Sequence, residues 1–417
     1  MNPAPNICII TETYYPVVGG GETQARALAE GLSARGFAVF VLTRRSHESF
    51  PKIEQVGPIT VFRLPPKGRA HYWKWGLLVT GLTALIGLRS RCDVIFVSGF
   101  RVLGVPAVIA GKLLDKPCIL KADSLGEMSG AFFAGGLAKW GWRPTAFPIR
   151  AFLKIRNKIL NQADVFVAVC KDIAEELTKH GLDSKRICRI PNGVDTRTFC
   201  PVSTAEKRCL RSKLSLPRDD TIVTYSGRLV AYKGLPLLMT VWNELQKQRK
   251  RATLLLLGSG GLDIHNCEGE LKSYVNMHGL RNRVIFTGEV RNVHEYLQAS
   301  DIFIFPTQNE AFGLSLVEAM ACGLPCISTA VGGILDIVTH LHDGVLVRSG
   351  DFRQTRQALD DLMTDTALAD RLGNAAVQTV RDTFSMENVT RSYECLFAEI
   401  ARSSGNLFSR AEQEAGI

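Results

Sequence analysis

The sequence predicts an α/β protein made of two successive domains, each with a mostly parallel, doubly wound sheet. Three observations support this fold class. The 417 residues exceed what a single core usually organises. Short apolar runs rich in β-branched residues alternate with segments of helical spacing. This alternation begins again after a charged, irregular stretch at 199–220, which we interpret as a linker.

The first domain is expected to span residues 1–198. An apolar strand at 7–10 is followed by a helix at 23–35, where Ala25, Leu28, Ala29 and Leu32 repeat with helical spacing. Gly36 ends that helix, and the next strand covers 39–43. Parallel strands joined by a helix form a βαβ unit. The same reasoning predicts helices at 75–88 and 172–180, and strands at 93–97, 117–121, 164–169 and 187–190.

The second domain is expected at 199–385, and a C-terminal helix at about 386–417 is expected to pack back on the first domain. Within the second domain the pattern predicts strands at 221–225, 253–257, 284–286, 302–305 and 326–328, and helices at 236–246, 268–278, 292–299 and 315–321. Ligands of such sheets bind beyond the carboxyl ends of the strands. A cleft between the two domains is therefore the expected binding site.

Composition narrows the class of protein. The hydrophobic fraction of 46% and the charged fraction of 22% exclude global disorder. The 11 cysteines form no CxxC pair, so a structural zinc site is not expected. No basic residue precedes the first apolar strand, which indicates a cytoplasmic protein with reduced thiols. The uncharged run at residues 75–88 falls short of the roughly 20 residues of a membrane-spanning helix.

Charge is distributed unevenly along the chain. Residues 1–198 carry 27 Lys+Arg and 15 Asp+Glu, a net charge of +12, and the remainder therefore carries −2 of the total of +10. A basic half indicates a surface or site that meets an anionic partner, such as a nucleic acid, a phospholipid surface or a phosphate-bearing substrate.

Arg228 and Lys233 follow a predicted strand and precede a predicted helix, so both leave the carboxyl edge of the second sheet. Arginine offers a fork of donors and lysine a point charge, a pair suited to a diphosphate. A solvated basic loop would show the same spacing, and the position at a strand end favours the binding interpretation.

The segment from Glu310 to Glu318 is the most informative. Pro306 ends the preceding strand, and a helix is predicted from Ser315 to Cys322. The free amides of Gly313 and Leu314 would then form an anion site at a helix N-terminus. Glu310 and Glu318 would accept hydrogen bonds from sugar hydroxyls, although spacing alone fits equally well one exposed and one capping glutamate.

Three consecutive glycines at 19–21 precede the first helix. They resemble a phosphate-approach loop, but the segment is not GxGxxG and no acidic residue ends the second strand, so NAD binding is not expected. No GxxxxGK[ST] segment supports a P-loop NTPase either.

These motifs, in this order, resemble glycosyltransferase family 4, a family of retaining GT-B enzymes with two Rossmann-like domains facing across a cleft. The resemblance runs nearly end to end. It rests on Tyr15-Pro16, Gly19-Gly20-Gly21-Glu22, Pro191-Asn192-Gly193-Val194-Asp195, Gly227-Arg228 with Lys233-Gly234, Gly258-Ser259-Gly260-Gly261, Phe286-Thr287-Gly288, Glu310 to Glu318 continuing to Pro325, and Val331-Gly332-Gly333.

The resemblance implies a role for each matching residue. Arg228 and Lys233 would hold the diphosphate of a nucleotide-sugar donor, and Glu310 would bind hydroxyls of the donor sugar. Glu318 would bind the ribose. The glycine loop would close over the phosphates, and backbone amides would contact phosphate and sugar. The loop and amide positions in question are Gly20, Gly21, Phe312, Gly313 and Leu314. The family requires no metal and no organic cofactor.

The sequence departs from the family where a histidine often stands six residues after a proline that begins a strand. Here Pro117 leads to Asp123, which puts in doubt the role of that histidine. Asp123 would still hydrogen-bond donor sugar or acceptor, with Glu127 as a second candidate, and a loop aspartate capping a helix is the structural alternative. Asp336 stands where glutamate is usual.

Residues 128–163 contain no acidic residue. Arg150, Lys154 and Lys158 recur every four residues and share one helical face. Aromatic residues are interleaved with the basic ones: Phe132, Phe133, Trp140, Trp142, Phe147 and Phe152. This combination is typical of a surface that docks on an anionic membrane, and a helix with a solvated basic face is the alternative. No recognition motif indicates nucleic acid as a partner.

The sequence therefore predicts a retaining hexosyltransferase that moves a sugar from a UDP- or GDP-sugar to a hydroxyl acceptor. The expected acceptor is a lipid-linked or glycan intermediate of cell-envelope polysaccharide or glycolipid synthesis, met at the inner face of a membrane. Two alternatives remain at this point: a GT-B epimerase acting on the nucleotide-sugar, and a non-catalytic protein that binds sugar nucleotides or polyanions.

Overall fold

The computed structural model describes residues 4–17, 19–65, 67, 76–130, 147–248 and 251–414, except for the side chains of residue 148 and of 402–414. The chain divides into two compact units, Met1–Asn192 with Met386–Ile417, and Gly193–Ser385. Residues 193–198, expected in the first domain, thus lie in the second unit. The amide of Val194 donates to the carbonyl of Phe384 at 2.8 Å, which ties this segment to the end of the second unit.

The first unit contains an eight-stranded sheet with the order β3-β4-β2-β1-β5-β6-β7-β8. All neighbouring strands are parallel except β3 and β4, which are antiparallel. The strands are β1 Ile7–Thr11, β2 Val39–Arg44, β3 Ile53–Val56, β4 Ile59–Leu64, β5 Val94–Ser98, β6 Cys118–Ala122, β7 Val165–Ala168 and β8 Ile187–Arg189. The helices between these strands, within the described residues, are α1 Gly20–Ser33, α2 Gly76–Gly87, α3 Gly104–Leu114, α4 Phe147–Leu160 and α5 Lys171–Lys179.

The second unit contains a six-stranded parallel sheet with the order β11-β10-β9-β12-β13-β14. Its strands are β9 Thr221–Ser226, β10 Ala252–Leu257, β11 Val284–Gly288, β12 Ile302–Phe305, β13 Cys326–Thr329 and β14 Val345–Val347. Its helices are α6 Thr204–Lys213, α7 Leu235–Gln246, α8 Glu268–Met277, α9 Val293–Gln298, α10 Leu314–Ala321, α11 Phe352–Thr364 and α12 Thr366–Thr379.

The last helix, α13 Met386–Glu414, belongs to the first unit and packs against α1. Its aromatic side chains enter the core beneath the sheet. The ring of Phe96 on β5 meets Tyr393 at 5.3 Å and Phe397 at 5.7 Å, both edge to face. Edge-to-face packing of buried rings is favourable beyond the area that it removes from water.

The linker expected at 199–220 is wrong in part, because α6 occupies its centre. The helix is polar and its periodicity is weak, and it is stabilised by its ends, by one ion cluster and by Leu210, which packs against the core of the second unit. Ser203 and Glu206 form a reciprocal capping box at its start. Arg211, which is buried, reaches Asp301 at 2.5 Å, and Lys207 reaches the same carboxylate at 2.9 Å.

Within the described ranges, no helix is both long and apolar enough to cross a membrane. The uncharged run at 75–88 contributes α2, which packs against α3.

Candidate functional site

The loop after β9 presents Arg228 and Lys233 at the carboxyl edge of the second sheet. The chain makes a single 3-10 turn at Ala231–Lys233 and then enters α7 through Gly234. Gly234 has φ 74°, and a Cβ there would lie 1.9 Å from the carbonyl oxygen of Pro306. Only glycine permits this approach, which brings the loop after β9 against the loop after β12.

Arg228 is partly exposed and already has partners in the free protein. Its guanidinium forms an ion pair with Asp263, donates to the hydroxyl of Tyr232 at 2.6 Å, and lies 5.8 Å from the centre of the Tyr232 ring. Desolvation of Tyr232 is the main cause that raises the pKa of its phenol. Asp263 comes from the loop after β10, so two loops hold this arginine at the sheet edge.

Lys233 pairs with Glu310 at 2.5 Å, and both side chains are largely buried. The Lys233 ammonium also lies 5.3 Å from the centre of the Phe305 ring at the end of β12. The two residues that the sequence assigned to diphosphate and donor sugar thus form one ion pair. The main-chain carbonyl of Glu310 accepts from the amide of Gly333 at 3.1 Å, which fixes the loop from the other side.

Helix α10 begins beside this pair. Gly313 precedes the helix with φ 102°, and its carbonyl accepts from the amides of Leu316 and Val317. Within the described residues, the amides of Gly313 and Leu314 have no hydrogen-bond acceptor. Phe312 is buried against Phe384, with ring centres 5.9 Å apart, so its side chain anchors the loop and leaves the backbone at the edge. The start of α10 therefore leaves two backbone amides free at the position where the sequence predicts an anion site.

Glu318 lies one turn into α10 and retains a little solvent exposure. Burial alone raises the pKa of its carboxyl group to about 8, and no charged neighbour contributes to the shift. Within the described residues its carboxyl group has no hydrogen-bond partner. A partly desolvated, unpartnered carboxyl at a sheet edge is suited to accept hydroxyl groups of a ligand.

In the first unit, Gly20 and Gly21 open α1 and are exposed. A Cβ at either position would meet nothing within 4 Å, so packing inside this unit does not require glycine there. Glu22 bends back toward Gly19 and accepts a hydrogen bond from the hydroxyl of Thr13. The glycine loop thus leaves open space at a helix N-terminus, although Val18 lies outside the described residues.

Asp123 follows β6 at the carboxyl edge of the first sheet. Its carboxylate pairs with Lys121 at 2.6 Å and accepts from the hydroxyl of Ser98 at 3.0 Å. No helix begins at Asp123, so the alternative of a helix-capping aspartate is wrong.

The sequence suggested Glu127 as a second ligand-contacting residue, but the structure does not place it to contact a ligand. It is 1% exposed, and it accepts from the amides of Phe100 at 2.9 Å and Asp123 at 3.2 Å. Burial, reinforced by the Asp123 charge, raises the pKa of Glu127 to about 7. Glu127 therefore ties the loops after β5 and β6 together.

The structure brings the predicted residues together in two groups, one in each unit. The second unit gathers Arg228, Lys233, Glu310, Phe312, Gly313, Leu314 and Glu318, and the first presents Gly20, Gly21 and Asp123. Sequence reasoning missed Asp263, Tyr232 and Lys121. The first lies 35 residues from Arg228, so no local spacing reveals it. Within the described part of the chain, no three His, Cys, Asp or Glu side chains are grouped to hold a metal ion.

Comparison with known proteins finds similarity to glycosyltransferases along most of the chain. The family model "Glycosyltransferase Family 4" matches residues 18–198, and "Glycosyl transferases group 1" matches residues 206–379. N-acetyl-alpha-D-glucosaminyl L-malate synthase of Bacillus anthracis is 25% identical over 402 residues, covering 94% of this chain and 97% of that protein. D-inositol 3-phosphate glycosyltransferase of Xylanimonas cellulosilytica is 27% identical over 373 residues, 86% of each chain.

Among solved structures, Anabaena HepE in complex with UDP and glucose superimposes with a TM-score of 0.74 at 18% identity, covering 94% of this chain and 99% of that one. At this identity the likeness shows the fold, which is GT-B. Two family models that together match most of the sequence, and two relatives aligned over most of their own length, agree with it. The chain belongs to glycosyltransferase family 4.

Proposed function

We propose that this glycosyltransferase moves a sugar from a UDP- or GDP-sugar to a hydroxyl acceptor with retention of the anomeric configuration. The observation that carries the proposal is one edge of the second sheet, where Arg228 and Lys233 stand beside the free N-terminus of α10. Two cations and two free amides at one edge are suited to a diphosphate.

The diphosphate is the leaving group of such a transfer, so charge develops on it as the bond to the sugar breaks. Arg228, Lys233 and the amides of Gly313 and Leu314 would stabilise that charge in the transition state. No step in this arrangement requires a metal ion or an organic cofactor. The protein groups can supply the electrostatic stabilisation themselves.

Glu310 would accept hydrogen bonds from hydroxyls of the donor sugar, because its carboxylate lies beside the lysine that would bind the diphosphate. Glu318, further into α10, would accept hydrogen bonds from the ribose hydroxyls. A nucleotide-sugar carries its diphosphate between the ribose and the sugar, so contacts for all three groups are needed at this edge. The UDP and glucose bound by the GT-B neighbour HepE support the class of donor.

The first unit would supply the acceptor side. Gly20 and Gly21 would approach the phosphates through their backbone, and the open space around both positions supports that role. Asp123 would act as the catalytic carboxylate that hydrogen-bonds the acceptor hydroxyl or the reacting sugar. Its position at the carboxyl end of β6 fits the general location of ligand sites in α/β sheets.

The acceptor we propose is a lipid-linked or glycan intermediate at the inner face of a membrane, as in cell-envelope polysaccharide or glycolipid synthesis. Helix α4 supports it. Arg150, Lys154 and Lys158 are exposed, and so is Phe147, at 84%. Phe152 is 40% exposed, and the other aromatic residues of the basic stretch, Phe132, Phe133, Trp140 and Trp142, lie outside the described residues. The names of the two curated relatives point to a second candidate, a small anionic hydroxy compound such as malate or inositol phosphate.

A panel of nucleotide-sugars tests the proposal. The correct donor should raise the thermal unfolding temperature by several degrees at saturating concentration, since a ligand at 100 times its Kd contributes about 2.7 kcal/mol. Turnover of that donor with an extracted lipid fraction, malate or inositol phosphate then identifies the acceptor, and NMR of the product gives its anomeric configuration.

Three outcomes contradict the proposal. Sugar isomerisation without any acceptor would indicate an epimerase. Binding without hydrolysis or transfer under all conditions would indicate a non-catalytic binding protein. An inverted anomeric centre would exclude the retaining mechanism.

A further inference from the structure

We propose that Lys121 is a positioning residue: its buried ammonium group holds the carboxylate of Asp123 and links it to Asn192, where the chain leaves the first unit. This inference rests on the proposed function, because it assigns Asp123 a place in the reaction. The evidence is a cluster of four side chains at the carboxyl edge of the first sheet.

Lys121 is unusual because it is 3% exposed, although lysine is among the residues least often buried. Its ammonium nitrogen lies 2.6 Å from Oδ1 of Asp123 and donates to Oδ1 of Asn192 at 2.8 Å. Two oxygens from different parts of the chain thus compensate one buried charge. Burying an ammonium without such partners would be costly.

Little free space adjoins Lys121. A cavity of about 10 Å³ lies beside it, lined also by Ser98, Asn192 and Tyr393, and that volume is about the least that can hold one water molecule. The hydroxyl of Ser98 donates to the second oxygen of Asp123 at 3.0 Å. One carboxylate oxygen thus has the ammonium at ion-pair distance, and the other has a hydrogen bond.

The link to Asn192 gives this cluster a second property. Asn192 is the last residue of the first unit before the chain enters the second. The chain returns at Met386, and Tyr393 of the returning helix α13 lines the same cavity. Lys121 therefore joins the proposed catalytic carboxylate to the residue at which the chain leaves the first unit, and the returning helix lines the cavity beside it. A shift of the crossing segment would be transmitted to Asp123 through one side chain.

The expected consequence is a loss of turnover without a loss of donor binding. In Lys121→Met, kcat should fall about 100-fold, the order of loss that a misplaced reacting group causes. The Kd for the nucleoside diphosphate should stay unchanged, because the two cations that would hold it, Arg228 and Lys233, lie in the second unit. Lys112→Met, which removes an exposed lysine paired with Asp164 at 3.4 Å, should behave as wild type.

A double-mutant cycle separates positioning from a general structural role. If Lys121 acts through Asp123, the double variant Lys121→Met with Asp123→Asn should be no slower than Asp123→Asn alone. Asn192→Ala, which leaves the Asp123 charge pair intact, should lower kcat in the same direction by a smaller factor. Multiplying losses in the double variant, or wild-type kcat in Lys121→Met, would overturn the inference.

The same variants can be examined without turnover. In the free protein, Lys121→Met should speed backbone hydrogen exchange at 123–130 and 190–193 while Lys112→Met leaves it unchanged. Unchanged exchange in these two segments would also overturn the inference. Wild-type protein that neither binds nor turns over any nucleotide-sugar would instead refute the proposed function, so the two failures are distinguishable.

Discussion

Arg228 and Lys233 are both paired with carboxylates in the free protein, so a diphosphate must compete with Asp263 and Glu310 for them. We expect the diphosphate to displace both carboxylates, because it offers more negative charge and more acceptor oxygens to the two cations together. Arg228→Ala or Lys233→Ala should therefore weaken binding of both nucleotide-sugar and nucleoside diphosphate by about 1.5–3 kcal/mol.

Isothermal titration calorimetry measures this directly. Lys247→Ala is a matched control, because Lys247 is an exposed lysine of the same unit that pairs with neighbouring Glu244 at 2.6 Å. Unchanged affinity in both site variants would refute the assignment of the diphosphate.

Glu310 and Glu318 lie on the same short segment yet have different surroundings. Glu310 is paired with Lys233, whereas Glu318 has no partner within the described residues. Glu310→Ala should abolish transfer and still bind the bare nucleoside diphosphate, because Glu310 would contact the sugar. Glu318→Ala should weaken binding of the nucleotide itself. Titrations that give both variants the same ligand profile would show that this division of roles is wrong.

The raised pKa of Glu318 also predicts how the stability of the protein depends on pH. Its pKa is about 8 in the folded protein, against an ordinary value of 4.5. Between these values the folded state binds more protons than the unfolded state, so this group makes the second unit less stable as pH rises from 4.5 to about 8. Above pH 8 the contribution is constant. Glu318→Gln removes it.

Urea unfolding at pH 5 and pH 8.5 tests the sign. Relative to wild type, Glu318→Gln should gain stability by on the order of 1 kcal/mol at the higher pH, since partial exposure reduces the full effect of the shift. The pKa of Glu127 is also raised. Its titration changes the free energy of unfolding of wild type and variant equally, so it cancels in the difference between them. An equal difference at both pH values would contradict the assignment.

At the scale of elements, strands and strongly periodic helices could be predicted from the sequence. The strand expected at 302–305 is β12 with the same bounds, and the helix at 236–246 differs from α7 by one residue. Apolar runs bounded by turn residues report burial locally, which is why they suffice. The hairpin of β3 and β4 was missed because Ile53–Val56 is short and mostly exposed at the sheet edge.

Elements stabilised by distant partners could not be predicted. Helix α6 has little apolar periodicity, and its Arg211 is held by Asp301 from 90 residues away. The same limit applies to the site. Arg228, Lys233 and the start of α10 follow from local position, but the ion pair between Lys233 and Glu310 spans 77 residues. Contacts of this separation depend on strand order, which the sequence pattern alone does not give.

At the scale of the whole molecule, the uneven charge is the feature that the donor site does not account for. The basic excess lies in residues 1–198, whereas the charged residues proposed to bind the donor lie after it. On α4, Arg150, Lys154 and Lys158 point to solvent, and Phe147 shares their face. Arg156 of the same helix is buried and donates to the carbonyl of Arg101, so the helix has a distinct anchored side.

An outward face that is basic and partly apolar predicts docking on an anionic leaflet. The protein should then bind anionic vesicles more strongly than neutral ones, and salt should release most of it. Each basic group near such a surface contributes about 1 kcal/mol, so changing Arg150, Lys154 and Lys158 to Glu should weaken vesicle binding by at least two orders of magnitude. Affinity for the nucleotide-sugar should be unchanged, because α4 carries none of the residues proposed to bind it. Replacing Trp140 and Trp142 should reduce the salt-resistant fraction, which reflects apolar insertion.

Vesicle co-sedimentation decides this prediction, with a matched variant that carries the same charge change in the second unit. Arg218, Lys247 and Arg353 are exposed there, and changing these three to Glu alters the net charge equally without touching α4. If the two triple variants lose binding to the same extent, net charge rather than this helix governs association. If wild type binds neutral and anionic vesicles equally, or binds neither, the face of α4 is a solvated surface. The small anionic hydroxy compound then becomes the better candidate for the acceptor, because nothing would bring the enzyme to a lipid-linked one.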